Sequence, residues 1–299
     1  MRKKMLFIYN PLSGKGLIKN NLSDIISIFS DAGYEVICHP TNAKGDGKRT
    51  VEEFADKVDV VVASGGDGTL DEIVTGLMNS NPALPVGYIP SGSTNDFATS
   101  LGISRDMVKA AEDITIGDIY QCDVGAFNST YFVYVAAFGM FTHVSYETDQ
   151  TMKNTFGRLA YLMEAGKEVF NVPSYHIRLN VDGQVSEGNY IYGMITNARS
   201  VGGIRGITGN AVDMNDGLFE VTMVRTPLNP LDLSEIISTL LSGDGHSSLV
   251  ETYKAKKIVL EPMDEIDWTL DGEFGDKHKM VVIENKHKVL NLFLNRRRV

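Results

Sequence analysis

Up to about Asp123, apolar and polar positions alternate between strand-like runs and helix-like stripes. Met5–Tyr9 is a short apolar run, after which Leu22, Ile25, Ile26 and Phe29 follow the i, i+3, i+4, i+7 spacing of one helix face. Tyr34–Cys38 reads as a second strand, and Val51, Phe54, Ala55 and Val58 repeat the helical spacing. Val60–Ala63 is a continuous apolar run of the kind buried on both faces. Leu70, Ile73, Val74 and Leu77 form a third stripe, Val86–Ile89 a fourth strand, and Asp106–Ile116 another helix. Strand-helix alternation at this spacing predicts an α/β domain, a mostly parallel sheet with helices on both sides.

Beyond Asp123 the pattern shortens to period two. Val124–Phe127 and Tyr131–Ala137 flank Asn128-Ser129-Thr130, a hairpin signal. Tyr175, Ile177, Leu179 and Val181 alternate with polar residues up to Asp182-Gly183, and Asn189–Thr196 returns. Leu218–Val224, Lys257–Leu260, Ile266–Leu270, Met280–Ile283 and Val289–Leu294 are further short strands, with helical interruptions near Phe156–Phe170 and Pro230–Leu241. This half is expected to be mostly antiparallel, a β-sandwich or open barrel. The expected domains are 1–124 and 125–299, with the last residues free to return to the first domain.

Length agrees: 299 residues, at roughly 150 per domain, suggest two. With 28 Lys+Arg against 38 Asp+Glu the net charge is −10, which argues against a general nucleic-acid binder. It does not exclude phosphate ligands, which backbone N–H groups and Mg²⁺ can hold. Cys38 and Cys122 fit no disulfide or zinc framework and suit a reducing, cytoplasmic setting. No apolar run reaches the ~18 residues of a membrane span. The charged start, Arg2-Lys3-Lys4, precedes an apolar stretch ending at Asn10-Pro11, too short for a signal peptide.

The sharpest local feature is Ser64-Gly65-Gly66-Asp67-Gly68-Thr69, between a buried strand and a helix. Its glycines let the backbone approach a ligand, and the helix start offers N–H groups and a positive dipole end to a phosphate. A plain turn capped by Asp67 or Thr69 is the alternative. Asp71 stands where G-x-G-x-x-G needs its third glycine, and Gly14-Lys15-Gly16 lacks the remaining residues of a P-loop. Two more small polar loops, Asn10–Gly16 and Pro90–Asp96, follow other strands, and the carboxyl ends of strands line the ligand crevice of such sheets.

Together these segments are recognisable. Asn10-Pro11-Leu12-Ser13-Gly14, Thr41 with Gly45-Asp46, Gly65 through Glu72, and Gly92-Ser93-Thr94-Asn95-Asp96-Phe97-Ala98 resemble the diacylglycerol kinase catalytic domain. That family includes bacterial lipid kinases and the sphingosine kinases. Asn215-Asp216-Gly217-Leu218-Phe219 and Leu270-Asp271-Gly272-Glu273 look like its downstream motifs, so the resemblance spans essentially the whole chain.

The resemblance implies an ATP-dependent lipid kinase, most readily one acting on diacylglycerol. Asn10, Pro11, Leu12, Ser13, Gly14, Thr41, Gly66, Asp67, Gly68, Thr69, Leu70, Asp71, Glu72 and Ser93 would contact ATP. Asp271 would be the general base, and Asp213, Asp216 and Leu218 would hold a structural Mg²⁺. Asp67, Asp96 and Asp123 would form an acidic network joining that metal to the nucleotide site. Each has a plain alternative: Asp271-Gly272 and Asn215-Asp216-Gly217 are good turns, Asp96 suits a helix N-cap, and Asp123 could satisfy a buried donor. Two positions depart from the family pattern, Ser93 for Thr and Asp71 for Asn; the second puts an extra carboxylate beside the phosphates.

The lipid would meet Asp271 in a cleft between the domains, where Phe138–Phe141 and Phe156–Phe170 could supply apolar wall, with core packing the alternative for most of these residues. Basic residues at Arg199 and Arg205, or Lys286, Lys288 and Arg296–Arg298, could touch anionic headgroups, giving a peripherally membrane-associated protein. A homodimer is left open. The rival readings are an NAD kinase-like enzyme with a soluble acceptor and a non-catalytic regulator on the same fold.

Overall fold

The computed structural model describes residues 2–140, 173–202, 204–205, 212–242 and 247–295. The expected helix near Phe156–Phe170, Phe141 and the basic residues Arg296–Arg298 lie outside the described residues. The chain divides into two compact units, Met1–Val124 with His287–Val299, and Gly125–Lys286.

The first unit carries the α/β alternation. Its strands are β1 (Lys3–Tyr9), β2 (Tyr34–Pro40), β3 (Val60–Gly65) and β4 (Val86–Pro90), in spatial order β4-β3-β1-β2 and all parallel. The chain end supplies another neighbour, Leu292 pairing in parallel with Val86 of β4. Every residue of β3 is buried, as a central strand covered on both faces requires. Around it pack helices α1 (Ile18–Asp31), α2 (Asp46–Phe54), α3 (Asp67–Ser80), α4 (Asp96–Leu101) and α5 (Met107–Ile116). Ile18, Ile25 and Phe29 of α1 join Met5, Phe7, Val60 and Val62 in one core cluster with Ala110, Ala111 and Ile114 of α5. The α5 start is sharp because the Asp106 carboxylate accepts the N–H groups of Val108 and Lys109 at 3.0 and 3.2 Å.

The second unit is antiparallel. Its strands are the end of β5 (Asp118–Phe127), β6 (Thr130–Phe132), β7 (Val135–Gly139), β8 (Tyr175–Val181), β9 (Gln184–Thr196), β10 (Ser200–Val201), β11 (Ile204–Arg205), β12 (Phe219–Arg225), β13 (Val250–Ala255), β14 (Lys257–Pro262), β15 (Ile266–Leu270), β16 (Glu273–His278) and the start of β17 (Val281–Leu294). Helix α6 spans Pro230–Ser242, where the apolar pattern predicts it. The path runs β16-β15-β7-β9-β8-β14-β17, with β12 beside β9 and β13 beside β12. Trp268 is a core residue, packed edge-on to Phe127 at 5.0 Å and tilted against Phe138 at 4.9 Å. Among the described residues no helix is long and apolar enough to cross a membrane.

Strands β10, β11, β13 and β16 are not in the predicted pattern, and two predicted strands are divided or joined differently, for one kind of reason. The run Tyr131–Ala137 is expected to be continuous, yet it breaks into β6 and β7 because the amides of Val133, Tyr134 and Val135 turn to the Asp271 carboxylate. Met280–Ile283 and Val289–Leu294 are expected as two strands but form one, β17. It bends at Lys288 (φ 54°), whose N–H donates to Asp123 at 2.7 Å.

Candidate active site

In the first unit three loops leave the carboxyl ends of β1, β3 and β4, and glycine lets them touch. Gly14 has φ 49°, and a β-carbon there would stand 1.8 Å from the Ser91 carbonyl oxygen. A β-carbon on Gly92 would stand 2.6 Å from the Gly66 Cα. Any side chain at either position forces two loops apart, so the close approach that the sequence suggests is built into the backbone. Asn10 adds polar ties: its N–H donates to the Ser64 carbonyl at 2.8 Å, and its side-chain oxygen accepts the Leu12 N–H at 2.9 Å.

The third loop is closed by Asn95. Its side-chain oxygen accepts the Gly92 N–H at 2.9 Å and its amide nitrogen donates to the Gly92 carbonyl at 2.7 Å. Asn95 takes φ 51°, which Asn tolerates better than most residues. Beneath it the buried Tyr88 hydroxyl donates to the Gly65 carbonyl at 3.2 Å and approaches the Asn95 oxygen at 3.4 Å. Burial pushes the Tyr88 phenol well above its usual range, and the charges of Asp67 and Asp96 push it further. Ser93 is exposed on the same loop.

Asp67 and Asp96 come together. The Asp67 carboxylate, at the start of α3, accepts the N–H groups of Asp96 and Phe97 at 3.0 and 3.3 Å and so caps α4. Glu72 acts similarly on α2, accepting the Gly45 and Gly47 N–H groups at 2.6 and 3.0 Å, while the Thr41 N–H donates to Tyr9. The Leu70 side chain is fully buried in the core, and Asp71 is half-buried one turn into α3. Asp123 is fully buried and accepts the His287 ring at 3.0 Å and the Lys288 N–H, which anchors β17.

In the second unit, Asp271 and Gly272 are the two turn residues between β15 and β16, with φ 50° and 86°, as a type I′ hairpin demands. The plain reading of this dipeptide as a hairpin turn is therefore correct, but its side chain does not face solvent. Asp271 is 4% exposed; one carboxylate oxygen accepts the Val133 N–H at 2.5 Å, the other the Tyr134 and Val135 N–H groups, both at 2.9 Å. Three amides fix its orientation.

Asp213, Asp216 and Leu218 share one turn. Asp213 accepts the Asn215 N–H at 3.3 Å and Asp216 the Leu218 N–H at 2.9 Å. The second Asp216 oxygen lies 3.6 Å from the Lys254 ammonium, which is also 3.2 Å from Glu220. Carboxylate and carbonyl oxygens are the right chemistry for Mg²⁺. The turn as it stands does not fit a Mg²⁺ cage, because an ammonium faces the oxygen a metal would use. Among the described residues no three His, Cys, Asp or Glu side chains gather to hold a metal. Sequence reasoning missed Tyr88, Glu220 and Lys254 as parts of these sites, and placed Asn95 in the third loop without giving it a role. A tyrosine inside the aliphatic run Val86–Ile89 was a usable signal for the first; the Glu220–Lys254 pair is made across strands and has no local signature.

Comparison with known proteins agrees with this architecture. Residues 4–127 match the family model of the diacylglycerol kinase catalytic domain, and residues 135–293 match that of the YegS C-terminal NAD kinase beta sandwich-like domain. A diacylglycerol kinase from Bacillus subtilis is 32% identical over 276 residues, 91% of this chain and 90% of that protein. One from Staphylococcus saprophyticus is 32% identical over 280 residues, 93% of this chain and 91% of that protein. A crystal structure from Bacillus anthracis, described as a candidate diacylglycerol kinase, superposes with a TM-score of 0.84 at 26% identity, covering 100% of this chain and 99% of that one.

Proposed function

This chain belongs to the diacylglycerol kinase family, and we propose that it transfers the γ-phosphate of ATP to a lipid hydroxyl, with diacylglycerol as acceptor and phosphatidic acid as product. The observation that carries the reading is the set of three interlocked loops on β1, β3 and β4, in a chain that also buries the Asp271 carboxylate on three amides.

ATP enters as its Mg²⁺ complex. Phosphoryl transfer needs positioning and charge neutralisation more than covalent chemistry, so a rigid cradle of backbone donors suffices on the protein side. In this reading Asn10–Gly14, Thr41, the Gly66–Glu72 turn and Ser93 surround the nucleotide. The N-terminus of the 14-residue helix α3 faces its phosphates. Asp67 and Glu72 contribute by tying α3 to α4 and α2, so that the loops keep their spacing when phosphate arrives.

A lipid alcohol is a very weak acid, and Asp271 accepts its proton as the bond to phosphorus forms. Amide donors make a carboxylate a weaker base but hold it still. The reading therefore asks Asp271 for orientation and late proton transfer, not for prior deprotonation. The acceptor brings the enzyme transiently to a membrane surface on the cytoplasmic side. A specific observation favours the regulator as second reading: the Asp271 geometry is an ordinary hairpin anchor, present also at Asp182.

The test is phosphate transfer from radiolabelled ATP with Mg²⁺ to a panel of diacylglycerol, monoacylglycerol, sphingoid bases, phosphatidylglycerol and NAD. Labelled phosphatidic acid supports the reading; labelling of NAD alone, or of nothing, replaces it. Asp271→Asn is informative only with a control. An amide NH₂ facing the Val133 N–H sets donor against donor, so the melting temperature falls as well as turnover. Asp182→Asn suffers a similar conflict without the chemistry. Turnover per folded molecule should collapse in Asp271→Asn and persist in Asp182→Asn.

A further inference from the structure

The turn that the family resemblance assigns to a structural Mg²⁺ is already faced by a cation from a neighbouring strand. Glu220 on β12 and Lys254 on β13 are direct cross-strand partners, and Glu220 is only 8% exposed. The ammonium reaches Glu220 at 3.2 Å and Asp216 at 3.6 Å, bridging the strand pair to the turn. The other Asp216 oxygen is engaged by the Leu218 N–H. A divalent ion ligated by Asp216 would therefore stand within a few ångströms of a positive charge, in the range where Coulomb repulsion is strong. The Lys254 side chain is 45% exposed, but swinging away would leave the buried Glu220 carboxyl without its counter-charge, which opposes the move.

We infer that Lys254 is the resident counter-ion of the 213–218 turn: the turn holds its shape without a divalent cation, and Mg²⁺ binds there only in competition with the ammonium. The side chain thus sets the divalent-ion affinity of this chain, a role that lies on neither the turn nor the nucleotide loops.

Calorimetric titration of the full chain with MgCl₂, without nucleotide, tests this. Lys254→Met should bind Mg²⁺ about tenfold or more tightly than the parent protein. Asp216→Asn added to Lys254→Met should abolish the gain, which assigns the site. The parent should keep its melting temperature in EDTA. Equal Mg²⁺ affinity of parent and Lys254→Met overturns the inference, as does an EDTA-induced fall in melting temperature that Asp216→Asn removes. Should Lys254→Met fail to fold, Lys254→Met with Glu220→Gln removes the stranded carboxylate and the same comparison is made. Binding, not turnover, is read, so failure here leaves the kinase reading untouched, and failure of that reading leaves this one standing.

Discussion

At the β8–β9 turn Asp182 and Gly183 take φ of 48° and 92°; at β15–β16 Asp271 and Gly272 take 50° and 86°. Asp182 donates its N–H to the Lys257 carbonyl at 3.0 Å, and its carboxylate accepts the Lys256 and Lys257 N–H groups at 3.0 and 2.8 Å. Asp271 donates to the Val135 carbonyl at 2.9 Å and accepts from three successive residues of the β6–β7 segment. The same Asp-Gly hairpin thus clips a neighbouring strand twice in one sheet. Amide capture is structural grammar here and says nothing of chemistry by itself. What separates the two is burial: Asp182 is exposed, Asp271 nearly sealed, with a third amide.

Alanine substitution at both positions should widen that difference most. Asp271→Ala leaves three buried amides without an acceptor and should cost at least about 3 kcal/mol in chemical denaturation. Asp182→Ala exposes its amides to water and should cost about 1 kcal/mol. Equal losses would show that burial does not distinguish the two turns.

Carboxylates held by lysine extend the contrast. Burial raises Glu220 from 4.5 to about 7, against the opposing pull of Lys254. The folded state then keeps its proton to higher pH than the unfolded chain, so stability falls as pH rises from about 4.5 towards 7. Glu220→Gln should flatten that part of the stability profile; an unchanged slope would assign it to another group. The smallest effect is expected at Glu284, drawn down to about 2 by hydrogen bonds from Lys257 and Lys286. Its contribution is present above about 4.5 and lost as pH falls towards 2. Because the pair is open to solvent, Glu284→Gln should cost under about 1 kcal/mol, and less in high salt. The amide-held Asp271 should show no such salt dependence.

Much of this was legible in the chain. The buried run Val60–Ala63, the helical stripes and the three small polar loops are local patterns and landed where period or composition put them, except that the stripe Val51–Val58 outruns α2, which ends at Phe54. The breaks were not legible, because long-range partners cause them: Asp271 interrupts the β6–β7 run, and Asp123 bends β17 at Lys288. Strand β16, with four of its six residues exposed, was missed because it buries no alternating apolar face, and among the described residues it pairs only with β15. At the site, Asp-Gly marked the turn correctly but could not reveal that Asp271 is sealed from water while Asp182 is exposed. The counter-ion of Asp216 sits on a distant strand, beyond any local motif.

The bend at Lys288 also bears on how the molecule is made. Strand β17 leaves the second unit at Lys286, and its remainder joins the first, Leu292 lying against Val86 and the Asn291 amide donating to the Ala83 carbonyl at 3.0 Å. During synthesis the sheet of the first unit therefore waits, with the β4 edge lacking this neighbour, until residues 287–295 have been made. An open edge is a template for wrong partners, so this interval is when the nascent protein is most exposed to aggregation. For the same reason the first unit has no complete contiguous version: a fragment ending at Val124 lacks its last strand, and only one that rejoins residues 287–295 restores it.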